Sequence, residues 1–379
     1  MSQPAPEPSP EEWEGISAWC VRYQAEMLLW ANGGAETDPA SIFDGTIKSL
    51  SRFYQTDKDS PFKTLRYKSR LRYANRLEII ETALGSVRVL SITFRDLKRW
   101  YEEFAARRML PRAYDLIVQL KLLFRFGKLA LPKSSGCADV CAILEEMEFA
   151  GGQRRRKEYL TYVQAKLVCD AAHGRKRPSI ALTQAFMIEC GLRQKDMIGE
   201  WVPLTEPGVT DVFSGPRKWL MGARWEEIDA NFVWKHRLSK SVKGQAAIMD
   251  ADAGQTEEFD LLAFPLVKAE LERIAPLDRA NFPASGPIIV YEKTGRPWCT
   301  SEFRRQWRLC AKSAGIPSDV QNRDSRPGAA TEAELAGAPP DTVRRLLGHA
   351  RGETTEIYRR GNREVRSNIA KLRAEKRQP

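Results

Sequence analysis

RDSRPGAATEAELAGAPPDTVRRLLGHARGETTEIYRR, residues 323–360, is the stretch that decides the fold. It sets Arg326, His349 and Tyr358 in a fixed order, with the helical runs GAATEAELAG and PDTVRRLLGH between the first two. Upstream, GLRQKDMIGEW (Gly191 to Trp201) adds Arg193 directly after a Gly-Leu pair. Arginine forks hold a phosphate bidentately, and a phenol is a nucleophile toward phosphorus. Two arginines, a histidine and a tyrosine are the parts needed for phosphodiester chemistry without a metal.

Around these blocks the pattern is helical with a β-rich middle. Thr161 is a good N-cap with Gln164 in the capping-box position, opening LTYVQAKLVCDAAHG, and LTQAFMIECG follows. ARWEEIDANFVWKHRLSKSVKGQAAIMDA carries β-favouring aromatics and a Lys-Ser-Gly-rich turn between two candidate strands. After Phe259 helices return in DLLAFPLVKAELERI and SEFRRQWRLCAKSAGI, and Trp298 reads as core. Asp196 and Asp324 read as ion-pair partners that orient the neighbouring arginines.

Residues 43–150 are helical almost throughout. LRYANRLEIIETALG closes on Gly85, Thr93 and Asp96 form a capping-box pattern, and PRAYDLIVQLKLLFRFGKLA carries an apolar stripe. Within Pro61 to Ile80, Lys63, Arg66, Lys68, Arg70, Arg72 and Arg76 face a single acid, Glu78, with aromatic residues interleaved. In a basic chain this favours a phosphate-tracking surface over an ordinary solvated face. Residues 151–160 read as a linker whose Arg154, Arg155, Arg156 and Lys157 form a basic strap. Residues 1–42 are an extension: a proline-rich acidic lead-in unlike a secretory signal, then one helix over 11–33. The organisation expected is therefore 1–42, 43–150, 151–160 and 161–379.

Composition narrows the function. A net charge of +11 over 379 residues favours an anionic partner, nucleic acid before a membrane surface. No apolar run approaches the roughly 18 residues that span a bilayer. Seven cysteines lack zinc-finger spacing, and Cys137 and Cys141, one helical turn apart, read as a buried face. Three histidines, His173, His236 and His349, make a metal-centred site improbable. The absence of a GxxxxGK[ST] loop agrees with chemistry that needs no ATP, and no cofactor is expected.

The blocks LLGHARGETTEIYRR, GLRQKDMIG and RDSRPGAATEA together resemble the tyrosine recombinase, or phage integrase, family. The resemblance is strong from Thr161 onward and weak in the helical first part. It implies that Tyr358 is the nucleophile, that Arg193 and Arg326 are the catalytic arginines, and that His349 contacts the phosphate or the nucleophile. It also implies a catalytic lysine on a β-hairpin between the arginine boxes, which makes Lys240 the candidate and Lys243 its alternative. Where the family usually has histidine, three residues before the second arginine, this chain has Arg323. Arginine cannot act as a neutral base near pH 7, so Arg323 reads as a further phosphate contact.

The implied fold is mainly α with a small antiparallel β-sheet: a helical core-type DNA-binding domain, then an α+β catalytic domain, closing together around DNA. The implied function is site-specific recombination for a mobile element through a 3′-phosphotyrosine intermediate. The implied partners are double-stranded DNA, a homo-tetramer on that DNA and accessory DNA-bending or directionality factors, with no membrane and a cytoplasmic, nucleoid-associated setting. Two rivals share the residues: a type IB topoisomerase-like activity, and a DNA-binding regulator that has lost cleavage. The tail residues Val365, Ile369 and Leu372 share a helical face, suited either to their own domain or to a neighbouring protomer.

Overall fold

The computed structural model describes residues 43–108, 110–151, 156–242, 244–250 and 253–348. The chain divides into two compact units, Met1–Gln153 and Arg154–Pro379.

The described part of the first unit is helical, with α1 (Ile47–Thr56), α2 (Pro61–Thr64), α3 (Tyr67–Leu84), α4 (Phe94–Arg108), α5 (Leu110–Ala130) and α6 (Cys137–Glu146). Side-chain caps start several of them. Thr46 Oγ1 accepts from the Ser49 N–H at 3.2 Å, and Ser60 Oγ accepts from the Phe62 N–H at 3.2 Å. At α4 the Asp96 carboxylate accepts from the Thr93 N–H at 3.0 Å while Thr93 Oγ1 accepts from the Asp96 N–H, the reciprocal pattern expected from the sequence. Leu116, Ile117, Leu120, Leu123 and Phe124 of α5 are buried at the spacing of one helix face. Gly127 lets α6 approach closely, because a Cβ there would stand 2.6 Å from Cys137 Sγ. Cys137 and Cys141 are both buried on that contact face.

The second unit runs α7 (Tyr162–Gly174), α8 (Pro178–Glu189), α9 (Gln194–Ile198), β1 (Glu200–Pro203), β2 (Phe213–Ser214), β3 (Arg217–Leu220), β4 (Val233–Arg237), α10 (Ala246–Met249) and β5 (Thr256–Asp260). It continues through α11 (Pro265–Glu272), β6 (Val290–Tyr291), β7 (Arg296–Pro297), α12 (Thr300–Ser313), α13 (Ser325–Leu335) and α14 (Pro340–Leu346). The capping box of Thr161 and Gln164 opens α7 as its sequence implies. Helix α8 is buried on all sides, Ser179, Thr183 and Gln184 included, with Ile180, Ala181, Leu182, Ala185, Phe186, Met187 and Ile188 in the core, and it packs against α7, α11, α12 and α13. A helix with no solvent-facing side must be central, and the rest of the unit is mounted on this one.

The sheets are small and antiparallel: β1-β3-β2, β4-β5 and β6-β7. The first was not anticipated from the sequence. The hairpin was anticipated, but its return strand was placed too early. GQAAIMDA contributes the short helix α10, and the strand that pairs with β4 is Thr256–Asp260, in register from Val233↔Asp260 to Arg237↔Thr256. Trp298, expected as core, is 1% exposed and donates its indole N–H to Ser179 Oγ at 3.0 Å. Among the described residues no helix is long and apolar enough to cross a membrane.

Helix α13 carries Arg326 and is docked through backbone. The Leu160 N–H donates to the Asp324 carbonyl at 3.0 Å, and a Cβ at Gly328 would collide with the Leu160 carbonyl. Backbone cannot rotate away as a side chain does. Gly328→Ala is therefore expected to cost about 1–3 kcal/mol by overpacking and to displace Arg326, two residues earlier. Urea unfolding measures the first effect, and a wild-type midpoint would contradict it.

Candidate active site

Glycine at the first arginine block sets up the site. Gly191 has φ +62 and faces Leu347, so a side chain there would meet both strain and a neighbour at 3.1 Å. Its carbonyl accepts a hydrogen bond from Arg326 Nη1 at 2.5 Å. Arg326 Nη2 donates to the Leu347 carbonyl. Arg326 is 3% exposed, so one buried guanidinium ties the first arginine block to the Leu-Gly segment that leads into His349. Two of the five donors of a guanidinium are spent in this way.

Arg193 sits at the N-cap of α9 and is half-buried. Its backbone N–H donates to Asp196 Oδ2 at 3.0 Å, and its guanidinium has no partner among the described residues. Asp196 is fully buried, and its other oxygen, Oδ1, accepts from both the N–H (2.9 Å) and the hydroxyl (2.6 Å) of Ser239. One carboxylate thus joins the Arg193 turn to the residue before Lys240. Lys240 is exposed at the start of the connection between β4 and β5. That connection is closed at its base by the Leu238 N–H on the Gln255 carbonyl at 2.9 Å. Gly348 packs on the same base: it has φ +54, and a Cβ there would collide with Leu238 Cδ1.

Asp196→Asn tests this joint. Asp196 receives three donors, whereas asparagine offers one carbonyl oxygen and an NH₂ group that must face a donor. The expected cost is about 1–3 kcal/mol for the group left unsatisfied, read as a lowered urea midpoint. An unchanged midpoint would remove Asp196 from this role.

The second arginine block is held from below. Trp307 Nε1 donates to Gln184 Oε1 at 2.8 Å, Gln184 Nε2 donates to Ser325 Oγ at 3.0 Å, and Ser325 Oγ donates to the Asn322 carbonyl at 2.7 Å. Gln184, Ser325 and Trp307 are all buried, so this satisfied network fixes the turn that carries Arg323 and Arg326. The two arginines point differently. Arg326 is enclosed, while Arg323 is exposed with no side-chain partner among the described residues.

The acids do not act as expected. Asp196 holds backbone and a serine rather than the Arg193 guanidinium. Asp324 pairs with Arg156, not Arg326: Arg156 Nη2 lies 2.7 Å from Oδ2, and Nε donates to Oδ1 at 3.2 Å. That bonding raises the Arg156 pKa further. Asp324 Oδ2 also accepts from the Gln321 N–H at 2.9 Å. Both aspartates stand three residues into a short helical turn and cap it, a position that competes with ion pairing. Arg156 is accordingly engaged within its own unit, whereas Lys157 is exposed. The polar residues Ser239, Gln184, Asn322 and Gln194 were not singled out in the sequence. An acid three residues after a turn start was the available signal for the caps, and nothing local pointed to the others.

His349, Tyr358, Lys243, Arg154, Arg155, residues 1–42 and the tail with Val365, Ile369 and Leu372 lie outside the described residues. In the first unit, Lys63, Lys68 and Arg72 are exposed, and Arg66, Arg70 and Arg76 are half-buried. Arg76 pairs with Asp115 at 2.6 Å, and Arg70 Nη1 donates to the Leu65 carbonyl at 3.1 Å. Cys190, directly before Gly191, is fully buried, and burial pushes its thiol well above the usual range, so it offers no thiolate.

Residues 257–364 match the phage integrase family model, a span that takes in Arg323, Arg326, His349 and Tyr358. No curated protein matches the chain by sequence. Among solved structures, the chain is similar to a lambda integrase (75–356) dimer bound to a COC′ core site, with a TM-score of 0.60 and 15% identity over 83% of this chain and 95% of that one. It is similar to a lambda integrase tetramer bound to a Holliday junction, with a TM-score of 0.59 and 14% identity over 89% and 86%. It is also similar to the Tn1549 transposon integrase (82–397) in complex with circular intermediate DNA, with a TM-score of 0.57 and 13% identity over 86% and 99%. At these identities the likeness is one of fold. The family match across residues 257–364 and the likeness of fold together support the phage integrase, or tyrosine recombinase, family.

Proposed function

We propose that the protein is a site-specific recombinase that cuts and rejoins duplex DNA through a phosphotyrosine bond. The observation that carries this reading is the buried Arg326 guanidinium, which joins the Gly191 carbonyl to the Leu347 carbonyl. Blocks far apart in the chain converge there.

A neutral phenol is a poor nucleophile, with a pKa near 10. Two guanidiniums stabilise the phenolate and the charge that builds on the non-bridging oxygens of the phosphorane. Tyr358 attacks the scissile phosphate; the P–O5′ bond breaks as the tyrosyl–phosphate bond forms. Lys240 gives the departing 5′-oxygen its proton. His349 hydrogen-bonds the phosphate or the nucleophile. Arg323 contacts phosphate and takes no proton. The 3′-phosphotyrosine keeps the ester energy, so a new 5′-hydroxyl reverses the step without ATP. Four protomers acting on two sites would exchange strands through a Holliday junction, serving integration of a mobile element in the nucleoid. Lys63, Lys68, Arg72 and Lys157 would track the DNA backbone.

One residue favours a second reading. Arginine at position 323, where the family usually has histidine, suits a DNA-binding regulator of this fold that no longer cuts. A nicked suicide duplex built from the element's junction sequence separates the two, incubated with EDTA and without ATP. The recombinase reading expects a covalent protein–DNA complex that survives SDS. Tight duplex binding with no covalent complex would leave the regulator.

A further inference from the structure

Gln194, immediately after Arg193, has a side chain that points to a further DNA contact. Its Oε1 accepts from Asn322 Nδ2 at 2.6 Å and from Arg304 Nε at 3.3 Å. Asn322 is 6% exposed, and its Oδ1 accepts from the Arg323 N–H at 2.9 Å. One amide therefore joins the turn after Arg193, the turn of Arg323 and the exposed face of α12. Arg304 is exposed, and beyond that one bond through Nε its guanidinium has no partner among the described residues. Its Nε is anchored, and neither Nη has a partner among the described residues. A long side chain surrenders rotamer entropy to hold one geometry; here the amide has already restricted it.

Arg305, the next residue, is the contrast. It is also exposed, but its guanidinium is closed on Glu302, with Nη2 on Oε1 at 2.6 Å and Nε on Oε2 at 2.8 Å. Arg308 is likewise spent, on the carbonyls of Ile316, Pro317 and Val320. Of these three arginines of α12, Arg304 alone presents an open fork, and it does so beside Arg193 and Arg323. A planar fork with two available donors matches the paired oxygens of a phosphodiester.

We propose that Arg304, held by Gln194 next to the Arg193 turn, clamps a DNA backbone phosphate beside the one that is cut. The inference rests on the DNA-cutting reading above and adds a contact to it. The role is positioning: the clamp fixes the strand's register over the paired arginines and takes no part in bond making.

The test is the salt dependence of binding to a 30-base-pair duplex of arbitrary sequence, which offers phosphates but no cleavage site. Removing one phosphate contact flattens the slope of log K against log salt by about 0.9. Arg304→Ala and Arg304→Gln should both flatten it by that amount, while Arg305→Ala, an equal loss of charge one residue away, should leave it unchanged. Wild-type slopes for both Arg304 variants, or equal flattening by Arg305→Ala, would overturn the clamp. A wild-type protein that binds this duplex with no salt dependence would instead overturn the DNA-cutting reading beneath it.

Discussion

Phenylalanine at position 358 is expected to abolish covalent capture of the suicide duplex while duplex binding persists. The substitution removes one oxygen and keeps the ring, so packing and charge are almost unchanged. What disappears is the atom that would carry the phosphate. Enzymes that lose a covalent nucleophile fall on the order of 10⁶-fold in rate, which for this assay means no band above background. Residual capture in Tyr358→Phe would show that another residue forms the bond. Loss of binding together with capture would point instead to a folding role for the phenol.

Arg326→Lys is expected to give the second large effect, and it separates charge from geometry. Arg326 spans two carbonyls, Gly191 and Leu347, from a 3% exposed position. A lysine keeps the charge, but its ammonium is a point donor on a flexible stem and cannot reproduce the fork. One bond to a charged donor is lost, about 1.5–3 kcal/mol, which should lower the melting temperature by several degrees. Cleavage should fall further, on the order of 10²–10³, as when a preorganised oxyanion donor is removed. Single-turnover cleavage of the suicide duplex measures it. A wild-type rate in Arg326→Lys would mean that the fork serves folding only.

The same residues show what the sequence could and could not reveal. Local signals held: Thr93 with Asp96 and Thr161 with Gln164 cap α4 and α7 because a cap is a contact three residues long. The apolar stripe of α5 became a buried face for the same reason. The arginine blocks were legible as an ordered set, and Arg326 does reach back to Gly191. The small sheet of β1, β2 and β3 was not legible, since strands of four, two and four residues are too short to show alternation. The return strand of the hairpin was misplaced because TEEFD has one buried residue, Phe259, whereas the alanine-rich segment before it looked more apolar. Asp196 and Asp324 were assigned to the nearest arginines in sequence, but a carboxylate in a tight turn satisfies backbone donors first. Ser239 and Arg156, their partners at long range, could be found only once the chain was folded.

The central claim is that Tyr358 bonds to phosphorus in a site built on Arg193 and Arg326. Digesting the trapped complex with trypsin and nuclease and mapping the residual nucleotide by mass spectrometry tests it most directly. The expected result is a 3′-linked nucleotide on the peptide that contains Tyr358, formed in the presence of EDTA. A nucleotide on any other residue, or cleaved strands ending in free 3′-hydroxyls with no adduct, would contradict it.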